Sequence, residues 1–212
     1  MESSERPLSG RRAQARRNDP RIREAAREVF TADPDAPMSA VAARAGVGIS
    51  ALYRRYASKE DLLRQVARDG LARYLEEAEV AAADDRDPWD AFVSFMTRLL
   101  DAQTVAITMS LAGTFAPNEE LYAMSERAEV LNTRIVDRTK ASGGLRRDVV
   151  VDDLSMILEQ VSSIRLGDDA RTRELRHRYL ALFLNGLRAV EGEPLPGPPP
   201  TPVELASRWS PR

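Results

Sequence analysis

The chain has no cysteine and one histidine, His177, in 212 residues. Disulfides, thiol nucleophiles, Cys/His zinc sites and triads that draw on several histidines are excluded by that alone. Lysine occurs twice, as Lys59 and Lys140, so arginine carries nearly all the positive charge. There is no run of 18 uncharged apolar residues, and the opening stretch MESSERPLSGRRAQARR lacks the apolar core of a signal peptide. Neither membrane insertion nor export is expected, and the expected compartment is the cytoplasm.

Proline is scarce in the middle of the chain: of 13, only Pro88 and Pro117 fall between residues 38 and 190. That interval is rich in Ala, Leu, Arg and Glu, and its one β-branched cluster is Val149, Val150 and Val151. An all-α fold without a sheet follows. Residues 191–212 hold 7 of the 13 prolines, which predicts an extended, polyproline-like or disordered tail that Leu205 and Trp209 could pin.

The net charge of −2 conceals an asymmetry. Residues 1–68 carry 14 basic and 9 acidic side chains, net +5, leaving 17 basic and 24 acidic, net −7, for the rest. A basic head on an acidic body means that one end meets a polyanion.

Helix 1 is predicted over 19–32, with Asp19 as N-cap, Pro20 at the first position and Ile22, Ala26, Val29 and Phe30 on one face. Helix 2 spans 38–45, buries Met38, Val41, Ala42 and Ala45, and stops at Gly46, where glycine takes the left-handed conformation. Helix 3 follows after Val47 and Gly48 as ISALYRRY, 49–56, with Leu52 and Tyr56 inward. Ser58 caps a helix running to about Asp84, roughly 27 residues or about 40 Å long. Two helices joined by a three-residue glycine-containing turn form a helix-turn-helix, whose second helix enters the DNA major groove.

The stretch FTADPDAPMSAVAARAGVGISALYRRYASKEDLLRQV, 30–66, resembles the DNA-binding head of the tetracycline-repressor (TetR) family of bacterial transcription regulators. The match lies in AGVxxxxLYRxYxSKEDLL, in register over about 20 residues. Weaker similarity to the family's helical bodies lies in GLRRDV (144–149) and LALFLNGLRA (180–189). The resemblance implies a three-helix head, a helical-bundle body for ligand binding and dimerisation, and about nine helices in all. It assigns residues 18–66 to the DNA-binding domain and 67–190 to the body, between a disordered basic arm (1–17) and the proline-rich tail (191–212).

Carried over residue by residue, the resemblance puts Ile49, Ser50 and Ala51 against base edges and Tyr53 and Lys59 against phosphates. Arg54 and Arg55 would reach phosphate or guanine. The family often has a long polar residue near Ile49 and a threonine at Ala51, so this sequence departs from it where specificity is written. Arg11, Arg12, Arg16 and Arg17 either form a solubilising tail or an arm that follows the minor groove.

In the body, helices are expected from Pro88 on, from Pro117 to about Ser142, over 153–166 capped by Asp152 or Asp153, and over 170–190; TVAITMSLAG (104–113) reads as a segment buried on all sides. The last helix bears two apolar stripes, Leu175, Tyr179, Leu182, Phe183 and Gly186 against Leu180, Leu184 and Leu187. One faces the core. The other, with Leu154, Ile157, Leu158 and Val161, would form a four-helix interface with a second copy. Trp89, Phe92, Met96, Met109, Phe115, Tyr122, Met124, Met156 and Gln160 are candidates to line an effector cavity, with Glu159 and Arg165 as further polar candidates.

The expected partners are therefore a double-stranded DNA operator, a second copy of the chain and a small-molecule effector, with no cofactor, metal or membrane. An enzyme would need paired carboxylates, for which Glu119, Glu120, Glu126 and Glu159 are available; Glu174 and His177 supply one Glu-x-x-His pair where a di-iron bundle needs two. A helical adaptor that binds DNA without sequence preference is the other alternative.

Overall fold

The computed structural model describes residues 10–103, 111, 113–189 and 194–207. Among these, the chain forms α1 (Gly10–Ala32), α2 (Met38–Ala45), α3 (Ile49–Arg55), α4 (Lys59–Ala82), α5 (Pro88–Asp101), α6 (Glu119–Ala141), α7 (Val151–Ser163), α8 (Asp169–Leu187) and α9 (Pro202–Ser207). The described residues contain no strand; one antiparallel bridge joins Leu145 to Arg188. Nor do they contain a helix long and apolar enough to cross a membrane. The chain divides into two compact units, Met1–Val66 and Ala67–Arg212.

In the first unit, α1 buries Ile22, Ala25, Ala26 and Phe30, and α2 buries Met38, Val41, Ala42 and Ala45. The small side chains let the two helices approach closely. Gly46 ends α2 at φ 66°, a left-handed conformation that Cβ-bearing residues rarely adopt. Its N–H bonds to the Ala43 carbonyl at 3.2 Å, and the Val47 N–H bonds to the Ala42 carbonyl at 3.0 Å, satisfying the last carbonyls of α2. The start of α1 differs from expectation. The helix begins at Gly10 and encloses Pro20, so Asp19 does not cap it and Arg16 keeps a carbonyl that Pro20 cannot bond.

The second unit packs α5, α6, α7 and α8 around one core that includes Trp89, Phe92, Phe95, Met96, Ile135, Leu158, Val161 and Leu180. Each helix start has a polar cause. Asp87 accepts N–H bonds from Trp89 and Asp90 at 3.0 and 3.2 Å, and Asn118 accepts one from Leu121 at 3.0 Å, so α6 begins after Asn118 rather than at Pro117. Asp153 reaches back to the N–H of Val150 at 2.8 Å, which starts α7 two residues earlier than expected. At the end of α4, the Arg138 guanidinium donates to the carbonyls of Ala81 and Asp84 at 2.9 and 3.0 Å and so caps that helix.

Gly144 lies against Trp89, where a Cβ would come within 3.1 Å of the Trp89 Cβ; the Arg188 guanidinium covers the indole ring at 4.8 Å. The tail was expected without helix. Within it α9 forms behind a reciprocal cap in which Thr201 and Glu204 bond each other's N–H at 2.7 and 3.3 Å. Trp209 and most of 104–113 lie outside the described residues, whereas Leu111 is buried.

Candidate functional site

Helix α3 is the candidate element. It has seven residues and one buried side chain, Leu52, which is fully enclosed. Successive helical residues are about 100° apart, so Ser50 and Arg54 point nearly opposite to Leu52, Ala51 and Tyr53 point sideways, and Ile49 and Arg55 flank the buried edge. The surface follows that geometry: Ser50 and Arg54 are exposed, Tyr53 is 51% exposed, Ile49 40%, and Ala51 is half-buried. Among the described residues Arg54 has no ion-pair partner, which leaves a free fork of donors beside Tyr53 on the outward face.

Gly48, the N-cap of α3, contributes no side-chain hydrogen bond, so the start of the helix is held only by its own turn. Ser58 accepts the Asp61 N–H at 3.0 Å and starts α4. Lys59 follows with its ammonium 5.4 Å from the centre of the Phe30 ring, a cation–π contact that fixes this half-buried lysine at the head of α4.

Arg55, unlike Arg54, is engaged within the chain. Its guanidinium is closed on Asp19, with Nε 2.7 Å from Oδ1 and Nη2 3.1 Å from Oδ2. The Tyr56 hydroxyl donates to the same carboxylate at 2.9 Å, and Arg23 stands 3.6 Å from it. Hydrogen bonding from Arg55 holds the Asp19 carboxyl below the usual range, with Tyr56 adding to this and burial opposing it. Burial, together with Asp19, pushes the Tyr56 phenol far up, so it is a neutral donor at any working pH. Tyr56 was expected in the core, and its ring is indeed buried. The role of Asp19 had no sequence signal, because 36 residues separate it from Arg55.

The body candidates separate into three groups. Trp89, Phe92, Met96 and Phe115 are buried, with Phe92 and Met96 fully enclosed. A cavity beside that core, lined by Tyr74, Met96, Asn132, Ser155 and others, measures about 20 Å³, the room of one water molecule. Tyr74 donates to Asn132 Oδ1 at 2.8 Å there, and burial pushes its phenol up to about 12. Tyr122, 59% exposed, and Gln160 lie on outer faces of α6 and α7, so neither lines an enclosed cavity; Met109 lies outside the described residues.

The apolar stripes of α8 also resolve. Leu180, Leu184 and Leu187 face the core, joined at its edge by Leu175. From the sequence, Leu154, Leu158, Val161 and Leu175 are expected in the interface between two copies, but within one chain all four are already buried, the first three on the side of α7 that packs against α5. With 0–8% of their surface exposed, these four have little area to offer a partner. Tyr179, Leu182, Phe183 and Gly186 remain outside and, with Met156, Ile157 and Leu195, line an open groove of about 590 Å³. His177 and Glu174 do not come together as a site: His177 Nε2 lies 2.8 Å from Asp101, and Glu174 pairs with Arg171 at 2.9 Å.

Residues 22–66 match the model of bacterial regulatory proteins of the tetR family, and residues 87–189 match that of the C-terminal domain of SbtR-like transcriptional regulators. No curated protein matches the chain. Solved structures with this fold include a TetR regulator of Mycobacterium vanbaalenii, 25% identical over 84% of this chain and 98% of its own, with a TM-score of 0.54. SCO0520 of Streptomyces coelicolor is 24% identical over 82% and 99%, with a TM-score of 0.56. The ketosteroid transcriptional regulator KstR2 of Mycobacterium tuberculosis is 18% identical over 86% and 97%, with a TM-score of 0.61. Head and body thus match the same kind of regulator independently, and the chain belongs to the tetracycline-repressor (TetR) family of transcriptional regulators.

Proposed function

We propose that the chain is a cytoplasmic homodimeric repressor that holds a palindromic operator and is released from it by a small molecule. The observation that carries the reading is the outward face of α3, where Ser50, Tyr53 and Arg54 are exposed on a helix held by a single core residue. Ile49, Ser50 and Ala51 meet base edges, and Tyr53, Arg54 and Lys59 meet the backbone. The apolar groove along α8 supports pairing of two copies, which gives two α3 helices at fixed spacing.

The body supports an effector of largely apolar chemistry. Its core is aromatic and aliphatic, and the cavity beside it among the described residues has room for one water, so a ligand seated there would have to open that core. An effector that prefers a body shape with the two α3 helices at the wrong spacing binds the DNA-bound form more weakly, and linkage makes it a releasing signal. The test is selection of binding sites from a random duplex pool at near-physiological salt. A palindromic consensus is expected. Salt-sensitive binding with no preferred site would instead make the chain a nonspecific DNA-binding protein, and an absence of binding would reduce the helix-turn-helix to packing.

A further inference from the structure

Two arginines end α3, and the structure treats them oppositely. Arg54 points away from Leu52 and has no ion-pair partner among the described residues; Arg55 lies toward α1, with both its Nε and one Nη spent on a single carboxylate. We propose that Asp19 is a positioning residue for DNA binding, which anchors the C-terminal end of α3 to α1 and holds Arg55 away from the phosphates.

Three features make the contact more than a surface ion pair. The two hydrogen bonds are bidentate, one to each carboxylate oxygen, which fixes the plane of the guanidinium. The same carboxylate takes the Tyr56 hydroxyl, so the last residue of α3 and the residue after it are tied to one point. The Asp19 side chain keeps 14% of its exposure, so an Arg55 that left for a phosphate would leave a largely desolvated charge to Tyr56 and Arg23 alone. A further cation, Arg23, sits 3.6 Å from that carboxylate, and the Arg55 guanidinium covers the Tyr56 ring at 5.5 Å.

The arrangement serves a weak helix. Seven residues with one buried side chain and no side-chain N-cap do not hold a helical geometry unaided, and DNA readout needs the side chains within a fraction of an ångström of their place. Asp19 supplies the missing restraint at the end opposite Gly48.

The proposal rests on α3 meeting DNA, and its test separates the two. Affinity for a random-sequence duplex is measured across a salt series for wild type, Arg55→Ala, Asp19→Asn and the double variant, with thermal unfolding of each as a check on folding. Arg55→Ala is expected to keep the wild-type slope of log affinity against log salt. Asp19→Asn frees the guanidinium for a phosphate and steepens that slope by about 0.9, and the double variant returns to the wild-type value. A purely structural contact would change the melting temperature and leave the slopes alone. Flattening of the slope by about 0.9 in Arg55→Ala alone overturns the proposal, since Arg55 would then be a phosphate contact; that variant, altered at a side chain more than half exposed, decides the matter even if Asp19→Asn does not fold. A wild type without salt-dependent affinity sinks the DNA-binding reading and this proposal together.

Discussion

Helices α3 and α5 organise their residues in opposite ways. In α3, one side chain of seven is buried; in α5, seven of fourteen are, from Trp89 to Leu100. A helix that reads a ligand must keep its side chains outside, so α3 takes its position from its one buried side chain, Leu52, and from two neighbours, Gly46 before it and Asp19 behind it. A helix that builds a core has no exposed chemistry to reveal. The head therefore advertises its role by spacing, whereas the body gives away only that it is helical and well packed.

The sharpest way to break this contrast is to remove the centre of the body. Phe92 is fully buried, and Phe92→Ala is expected to cost about 3–5 kcal/mol, read as a lower denaturant midpoint. A loss under about 1 kcal/mol would mean that the core already holds enough slack to collapse around the gap, contrary to its water-sized cavity. Next in size is the outer stripe of α8. Leu182 is 56% exposed, so Leu182→Asp should leave the fold intact yet weaken pairing of two copies by about 2 kcal/mol or more, read as a shift from dimer to monomer in sedimentation. A dimer that survives unchanged would place the subunit contact elsewhere.

On the head, Tyr53→Ala should lower affinity by about 1 kcal/mol, roughly fivefold, on every sequence, while Ile49→Ala and Ser50→Ala redistribute preference among sequences. Binding measured on the selected consensus and on random duplex distinguishes them. Equal losses for Ile49→Ala on both would remove it from the base-reading set.

The limits of the sequence follow the same division. The bounds of α2, the stop at Gly46 and the burial of Leu52 are legible because each rests on a local rule: a glycine for a positive φ, or an apolar residue at helical spacing. The start of α1 is not legible, since a proline preceded by an aspartate reads as a helix start and the chain instead carries Pro20 inside. Periodicity shows that α8 has two apolar stripes but not which one faces in. The structure buries Leu180, Leu184 and Leu187 and leaves out Tyr179, Leu182 and Phe183. The Asp19–Arg55 contact is a tertiary meeting of residues far apart in the chain, and no local rule anticipates it.

The smallest expected effect concerns that contact and its sign with pH. Asp19 has its carboxyl held below the ordinary value of 3.8, chiefly by Arg55, so its contribution to stability is complete above that value and is lost as pH falls through the lower, folded-state value. Asp19→Asn removes the charge at every pH. Denaturation of the two proteins should therefore differ by about 1 kcal/mol or less near pH 6, keep that difference down to about pH 4, and converge in stronger acid. Other carboxylates titrate alike in both proteins, so the convergence isolates Asp19. A difference that persists unchanged into acid would mean that shape and hydrogen bonding, which asparagine only partly reproduces, hold α3 to α1 more than charge does.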